Sequence, residues 1–159
     1  EFWFTLPLTV ADKKSLYTSP EASSEIQYNF PHPILIAEDN EINIQVLTGM
    51  QRKLGVATDS VRNGNQAIEK IIHEGKKYTV VFMDCEMPDL DGFQATKIIR
   101  DYEKEKQLEP CFIISLSAHH NPQHLQKCLE YGMNDHLSKP ITLNDIQQVL
   151  DTLEQHTED

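Results

Sequence analysis

Thr79-Val80-Val81-Phe82-Met83-Asp84-Cys85-Glu86-Met87-Pro88-Asp89-Leu90-Asp91-Gly92 is the stretch on which the reading of this chain turns. A short β-branched and apolar run meets an acid, and Pro88 and Gly92 then turn the backbone. Such a run predicts a strand buried on both faces, as parallel sheets require. Asp84 would stand at its C-terminal end, on the edge of an open α/β sheet where ligands bind. A carboxylate there is held by rigid backbone yet faces solvent, and it can act as a nucleophile that carries a phosphoryl group as an acyl phosphate. Taken alone, Asp84 could equally be an acid that opens a loop. The flanking sequence has to decide.

Working outward, strands and helices alternate. Ile34-Leu35-Ile36-Ala37 predicts a buried strand ending at Glu38-Asp39. From about Glu41 to Leu54 a helix would place Asn43, Val46, Leu47, Met50 and Leu54 on one face, with Gly55 as its stop. Val56 to Val61 predicts a second strand and Asn63-Gly64 a turn. Ala67, Ile68, Ile71 and Ile72 mark a second helix closing near Gly75. After the Asp84 strand, Phe93, Thr96 and Ile99 stripe a third helix. Cys111 to Leu116 forms a fourth strand ending at Ser117, and Leu125, Cys128 and Leu129 belong to a helix stopping at Gly132. A short strand around Asp135-His136-Leu137 leads to Lys139-Pro140. The last helix carries Leu143, Ile146, Val149, Leu150 and Leu153, with Thr142 as N-cap. This alternation predicts a doubly wound α/β sheet with helices on both faces.

Composition narrows the functional classes. The 159 residues allow one ordinary domain plus a flanking segment, and 39% hydrophobic residues suffice for one core. A formal charge of -11 argues against nucleic-acid binding, since phosphates need a basic stripe. No apolar stretch approaches the ~20 residues of a membrane span, so no membrane contact by this segment is expected. Cys85, Cys111 and Cys128 lack CxxC spacing and leave one unpaired in any disulfide scheme, which fits a reducing cytoplasm. Cys85 itself reads as a small side chain beside the strand end. Upstream of Pro31-His32-Pro33, residues 11–32 read as a linker rich in Ser, Thr, Glu and Pro. Before it, residues 1–10 hold an aromatic, strand-like piece with no partner in this chain.

The strand ends carry, in order, Glu38-Asp39, Asp84, Ser117 and Lys139. In a parallel sheet these ends share one edge, so residues remote in sequence converge. Carboxylates ~4 Å apart repel by about 4 kcal/mol at an effective dielectric of 20, which makes the cluster unfavourable unless it holds a cation. Hard oxygen donors and an incoming phosphoryl group point to Mg²⁺. Asp39 and Asp84 are then direct ligands and Glu38 acts through water. Lys139 and the Ser117 hydroxyl would take phosphoryl oxygens, and the small Ala118 leaves an approach path to Asp84.

These residues, in this order, resemble a response-regulator receiver domain from Ile34 to Leu153. The resemblance rests on Ile34 to Asn43, on Met83 to Gly92, on Leu116-Ser117-Ala118-His119 and on Gly132 to Pro140. It implies a flavodoxin-like (βα)5 fold with strand order 2-1-3-4-5, a receiver domain over residues 33–155 and a tail at 156–159. It further implies phosphorylation on Asp84, with Mg²⁺ held by Asp39, Asp84 and the main-chain carbonyl of Glu86, and a cis peptide between Lys139 and Pro140. His136 stands where the family usually has Tyr or Phe. It joins Ser117, Ala118 and Lys139 in the phosphate-binding and switch set, as a ring that can also take a charge near its unperturbed pKa of ~6.5. A surface histidine without a role is the alternative reading.

Glu41-Ile42-Asn43 looks most like receivers attached to hybrid sensor histidine kinases, and residues 1–10 resemble the last strand of the kinase ATPase domain. The implied partners are the kinase core of the same parent chain and a histidine-phosphotransfer protein docking near Ile42. The implied location is cytoplasmic, with the parent kinase open to an anchor in the inner membrane. Lacking the kinase core's own motifs, this segment is expected to accept a phosphoryl group and not to use ATP. Two rivals remain open: a phosphorylation-independent docking module of the same fold, and a small phosphatase forming an aspartyl-phosphate.

Overall fold

The computed structural model describes residues 28, 30–118 and 121–158. The aromatic piece at 1–10, most of the linker stretch and His119 lie outside the described residues. Ten elements alternate along the chain: β1 (Ile34–Ala37), α1 (Glu41–Lys53), β2 (Thr58–Val61), α2 (Gly64–Ile68, running on as a π-helical turn over Glu69–His73), β3 (Val80–Asp84), α3 (Gly92–Lys106), β4 (Ile113–Ser117), α4 (Pro122–Glu130), β5 (Asp135–Ser138) and α5 (Leu143–Glu158). All strand pairings are parallel, in the order β2-β1-β3-β4-β5, the expected flavodoxin-like topology.

Two apolar layers hold helices to the sheet. Ile34, Ile36, Val80 and Phe82 point to one face, against Leu47 of α1 and Ile146, Val149 and Leu150 of α5. Leu35, Val81, Met83 and Ile113 point to the other, against Ala67 of α2, Phe93, Ala95 and Ile99 of α3 and Cys128 of α4. Central strands covered on both faces have no solvent side to show, which is why β1 and β3 up to Met83 read as continuous apolar runs and the two serines of β4 are themselves buried.

Short polar side chains start the helices. The side chains of Asn40, Asn63, Asp91 and Asn121 accept amide hydrogens from the first turns of α1, α2, α3 and α4. Thr142 caps α5 as expected: its hydroxyl accepts from the Asp145 amide at 3.1 Å while Asp145 accepts from the Thr142 amide at 3.0 Å, a reciprocal box. Gly132 ends α4 with φ +101°, and a Cβ there would press into the Arg100 side chain.

Four local details differ from the sequence reading. In α1 the buried positions are Ile44, Leu47 and Gln51, while Val46 is exposed and Asn43 only half-buried. The Gln51 oxygen accepts from Thr58 Oγ1 at 2.8 Å while its Nε2 is buried without a hydrogen-bond partner, so a half-satisfied polar residue occupies the inward stripe. Strand β2 begins at Thr58 rather than Val56, and α2 widens into a π-helical turn that apolar spacing did not announce. Tyr28, in the stretch read as linker, is buried: its amide donates to the Leu54 carbonyl at 3.0 Å and its hydroxyl donates to Asp151 at 2.5 Å.

Candidate functional site

The sheet register brings the strand-end residues together. Ala37 pairs with Met83, Asp84 with Leu116, and Ser117 with Ser138, so the residues that follow β1, β3, β4 and β5 line one edge. Glu38 continues the ladder by donating its amide to the Val61 carbonyl at 3.0 Å. From the far strand, Lys139 donates its own amide to the Ser117 carbonyl at 2.8 Å. That anchors the lysine backbone against β4 and lets its side chain cross to the acids.

Lys139 Nζ lies 3.1 Å from Asp84 Oδ2 and 3.1 Å from Glu38 Oε2. The Asp84 contact is a hydrogen bond. The Glu38 contact is close enough for ion pairing but out of line for a hydrogen bond, which leaves Oε2 buried with no hydrogen-bond donor. Asp84 Oδ1 accepts from the Glu86 amide and Glu38 Oε1 from the Asn40 amide, each at 3.1 Å. Glu38, Asp39 and Asp84 each offer a carboxylate oxygen within 4.8 Å of the others. Glu38 and Asp84 are buried and Asp39 is exposed. Glu38 and Asp84 therefore form the inner pair, and Asp39 stands at the rim.

The electrostatics follow from three acids sharing one cation. Burial pushes the Asp84 carboxyl up, and the hydrogen bond and charge of Glu38 add to this, so that it stands at about 7. Burial also raises Asp39, again with Glu38 adding to it. For Glu38 burial acts upward, but its Asp84 neighbour and the nearby Lys139 charge outweigh it and hold the group low. A hard divalent cation suits this donor set: three carboxylates, a buried oxygen lacking a donor, and a proton that Asp84 holds against repulsion rather than by preference. The same Asp84 oxygens are a nucleophile once that proton is gone.

The remaining expected residues distribute as follows. Ser117 is buried one position past Leu116, the register partner of Asp84, and Ala118 is exposed beyond it. Glu86 is an exposed turn residue, its backbone tied to Asp84 through the amide hydrogen bond. His136 is half-buried: Nδ1 lies 3.4 Å from Ser115 Oγ, Nε2 lies 3.3 Å from Ser138 Oγ, and its ring meets His124 edge-on at 5.5 Å. It therefore packs as a ring between β4 and α4 with part of its surface still in solvent. A second polar group escaped the sequence reading, that of Cys85, Ser115 and His124, with Cys85 Sγ 3.0 Å from Ser115 Oγ. The signal that could have found it is the four-residue step from His124 to Cys128, which stacks both on one helical face.

Comparison with known proteins agrees with this geometry. The response regulator receiver domain profile matches residues 34–151. The chain is 42% identical over 116 residues to hybrid signal transduction histidine kinase A of Dictyostelium discoideum, a match covering 73% of this chain and 5% of that protein. It spans between 5% and 8% of the length of the first curated relatives it matches. Among solved structures, one similar chain comes from the co-crystal of the Saccharomyces cerevisiae histidine phosphotransfer signaling protein Ypd1 with the receiver domain of its downstream response regulator Ssk1. The match has a TM-score of 0.70 at 32% identity and covers 77% of this chain and 89% of that one. Another is the receiver domain of sensor histidine kinase PA1611 from Pseudomonas aeruginosa PAO1, with a magnesium ion coordinated in its active site cleft. Its TM-score is 0.66 at 36% identity, over 77% of this chain and 96% of that one. Fold, strand-end chemistry and sequence profile agree: this chain belongs to the response regulator receiver domain family.

Proposed function

We propose that this domain is the phosphoacceptor receiver of a hybrid sensor histidine kinase, taking a phosphoryl group from phosphohistidine on Asp84 and passing it to a histidine-phosphotransfer partner. The observation that carries the reading is Lys139 Nζ, 3.1 Å from both Asp84 Oδ2 and Glu38 Oε2 at the open edge of the sheet. In the transfer, an Asp84 oxygen attacks phosphorus as the P–N bond breaks, and the imidazole leaves with the electron pair. Lys139 stabilises one phosphoryl oxygen, the Ser117 hydroxyl and nearby amides another, and Ala118 keeps the approach clear. Asp39, Asp84 and the Glu86 carbonyl would hold Mg²⁺, with Glu38 acting through water, and the ion would neutralise the charge gathered there. The new group adds about -1.5 to -2 charge, and His136 beside Ser115 completes the switch set.

The partner assignment draws on the kinase relatives and on the Ypd1 co-crystal of a similar receiver. On this chain Ile42 is 69% and Val46 47% exposed on α1, beside a groove reaching Pro140 and Ile141. An apolar patch at the rim of the acidic site suits a helical phosphotransfer surface. The kinase core of the parent chain is the donor, residues 1–10 are the end of its ATPase domain, and the module works in the cytoplasm. Among the described residues, no helix is long and apolar enough to cross a membrane.

Incubation with Mg²⁺ and a small phosphodonor should add one phosphoryl mass to the native chain and none to Asp84→Ala. Labelling that persists in the variant, or none in the native chain, refutes the assignment.

A further inference from the structure

We propose that Cys85, His124 and Cys128 form a second cation site, of the soft thiolate–imidazole class that takes Zn²⁺. The three residues lie on the α2–α3–α4 side of the sheet. Cys85 packs there in the apolar layer with Met83, Phe93 and Cys128. His124 and Cys128 are one turn apart on α4, so both face the end of β3. One ligand atom from each lies within 4.8 Å of the other two.

The spacing suits a tetrahedral ion. With metal–sulfur and metal–nitrogen bonds of about 2.3 and 2.0–2.1 Å, sulfur and nitrogen ligands stand about 3.6 Å apart, and Cys85 Sγ lies 3.7 Å from His124 Nε2. Two sulfurs and one imidazole favour Zn²⁺ over Mg²⁺, whereas the carboxylate cluster has the opposite preference. Ser115 Oγ, 3.0 Å from Cys85 Sγ, is placed to donate to a thiolate as an outer-shell partner. An entry path exists as well: an open cleft of about 580 Å³ is lined by Cys85 and His124 together with Asp39, Glu86 and Phe93. Its carboxylates draw cations toward the thiols, and its open side leaves a fourth ligand position for water.

Packing alone explains two small buried thiols, but it does not require an imidazole nitrogen at ligand distance from one of them. Cys111, the third cysteine, is not part of the cluster. Loading is a proton exchange with no redox change: one M²⁺ enters, two metal–sulfur bonds form and two thiol protons leave. The bound ion would tie the residue beside Asp84 to helix α4, so occupancy of this site bears on how freely α4 moves against the strand end.

The test uses the reduced 159-residue chain with excess Mg²⁺ present, and Co²⁺ as the spectroscopic stand-in for Zn²⁺. One equivalent of Co²⁺ should produce intense tetrahedral visible bands and thiolate-to-cobalt charge transfer in the near ultraviolet. One equivalent of Zn²⁺ should then bleach them with no further proton release, the two thiol protons having passed to an indicator dye when Co²⁺ bound. Cys85→Ser and Cys128→Ser should each weaken binding about 100-fold or more, while Cys111→Ser leaves it unchanged. His124→Ala, at a partly exposed position, repeats the test with far-ultraviolet dichroism as the check on folding. Absence of charge transfer in the folded native chain overturns the proposal, and so do bands that survive at full strength in Cys85→Ser/Cys128→Ser.

Discussion

Replacing Lys139 by Met keeps the alkyl stem and removes the one cation paired with Glu38 and Asp84 among the described residues. At 3.1 Å and an effective dielectric of 20, each pair is worth about 5 kcal/mol of attraction, about 10 in all. Most of that is offset by the desolvation the lysine no longer suffers. The lysine side chain also keeps 27% of its surface in water, which lowers the figure further. What remains is the penalty of leaving acids buried without a partner, here about 3 kcal/mol, or roughly 10 °C in Tm for a domain of this size. Urea unfolding at pH 8 in chelator should show the full loss. Added Mg²⁺ should narrow the gap, because a bound cation does for the acids what the lysine did. Lowering the pH to 6 should narrow it too. Asp84 already stands at about 7 through burial and its Glu38 neighbour, and loss of Lys139 raises it further, so below that value a proton takes the place of the cation. A Met variant as stable as the native chain at pH 8 without Mg²⁺, or a gap that Mg²⁺ widens, would refute this account of the cluster.

Three further outcomes follow from the same structure. Gly132→Ala should cost about 1–3 kcal/mol in chemical denaturation, since φ +101° strains an L side chain and Arg100 occupies the space. For Asp59, burial acts upward, but hydrogen bonds from Lys76 and Tyr78 outweigh it and hold the carboxyl below its ordinary 3.8. Its contribution to stability is present above about pH 4 and disappears as pH falls through the lowered folded value, so Asp59→Asn should flatten the acid limb of the unfolding profile. Ile42→Glu, at a position 69% exposed, should leave stability within about 0.5 kcal/mol. It should slow transfer to a histidine-phosphotransfer protein by about tenfold in a stopped-flow or gel assay, and an unchanged rate would remove Ile42 from the docking surface.

The fold was legible because its central strands carry almost no polar residues. Ile34–Ala37 and Ile113–Leu116 could be nothing but buried, and their order along the chain left few topologies. The site was legible for the same reason, since polar residues ending apolar runs share an edge once the sheet is parallel. What hid was whatever depends on one polar group meeting another across space. Gln51 was absent from the inward stripe read off the sequence, and its oxygen meets Thr58 only across the fold. Glu103 is buried because the Cys111 amide reaches it from beyond the helix, in addition to its i,i+3 partner Arg100. Sequence reading made Asp39 a direct metal ligand and Glu38 one acting through water, and carried no signal of their relative burial. The structure buries Glu38, whose amide still belongs to the sheet ladder, and leaves Asp39 at the rim. Such depth differences between neighbours are set by a hydrogen bond to another strand, which no local pattern encodes.

The clasp between Tyr28 and the last helix has a bearing on how such a module can be transplanted. Its amide on Leu54 fixes the incoming backbone at the end of α1, and its hydroxyl on Asp151 reaches from there to the outgoing helix. Entry and exit side by side let a unit be spliced into a host polypeptide like a cassette, without prising the host's own ends apart. A graft that begins at Ile34 would discard that clasp, whereas one that begins at Tyr28 carries its own fastening.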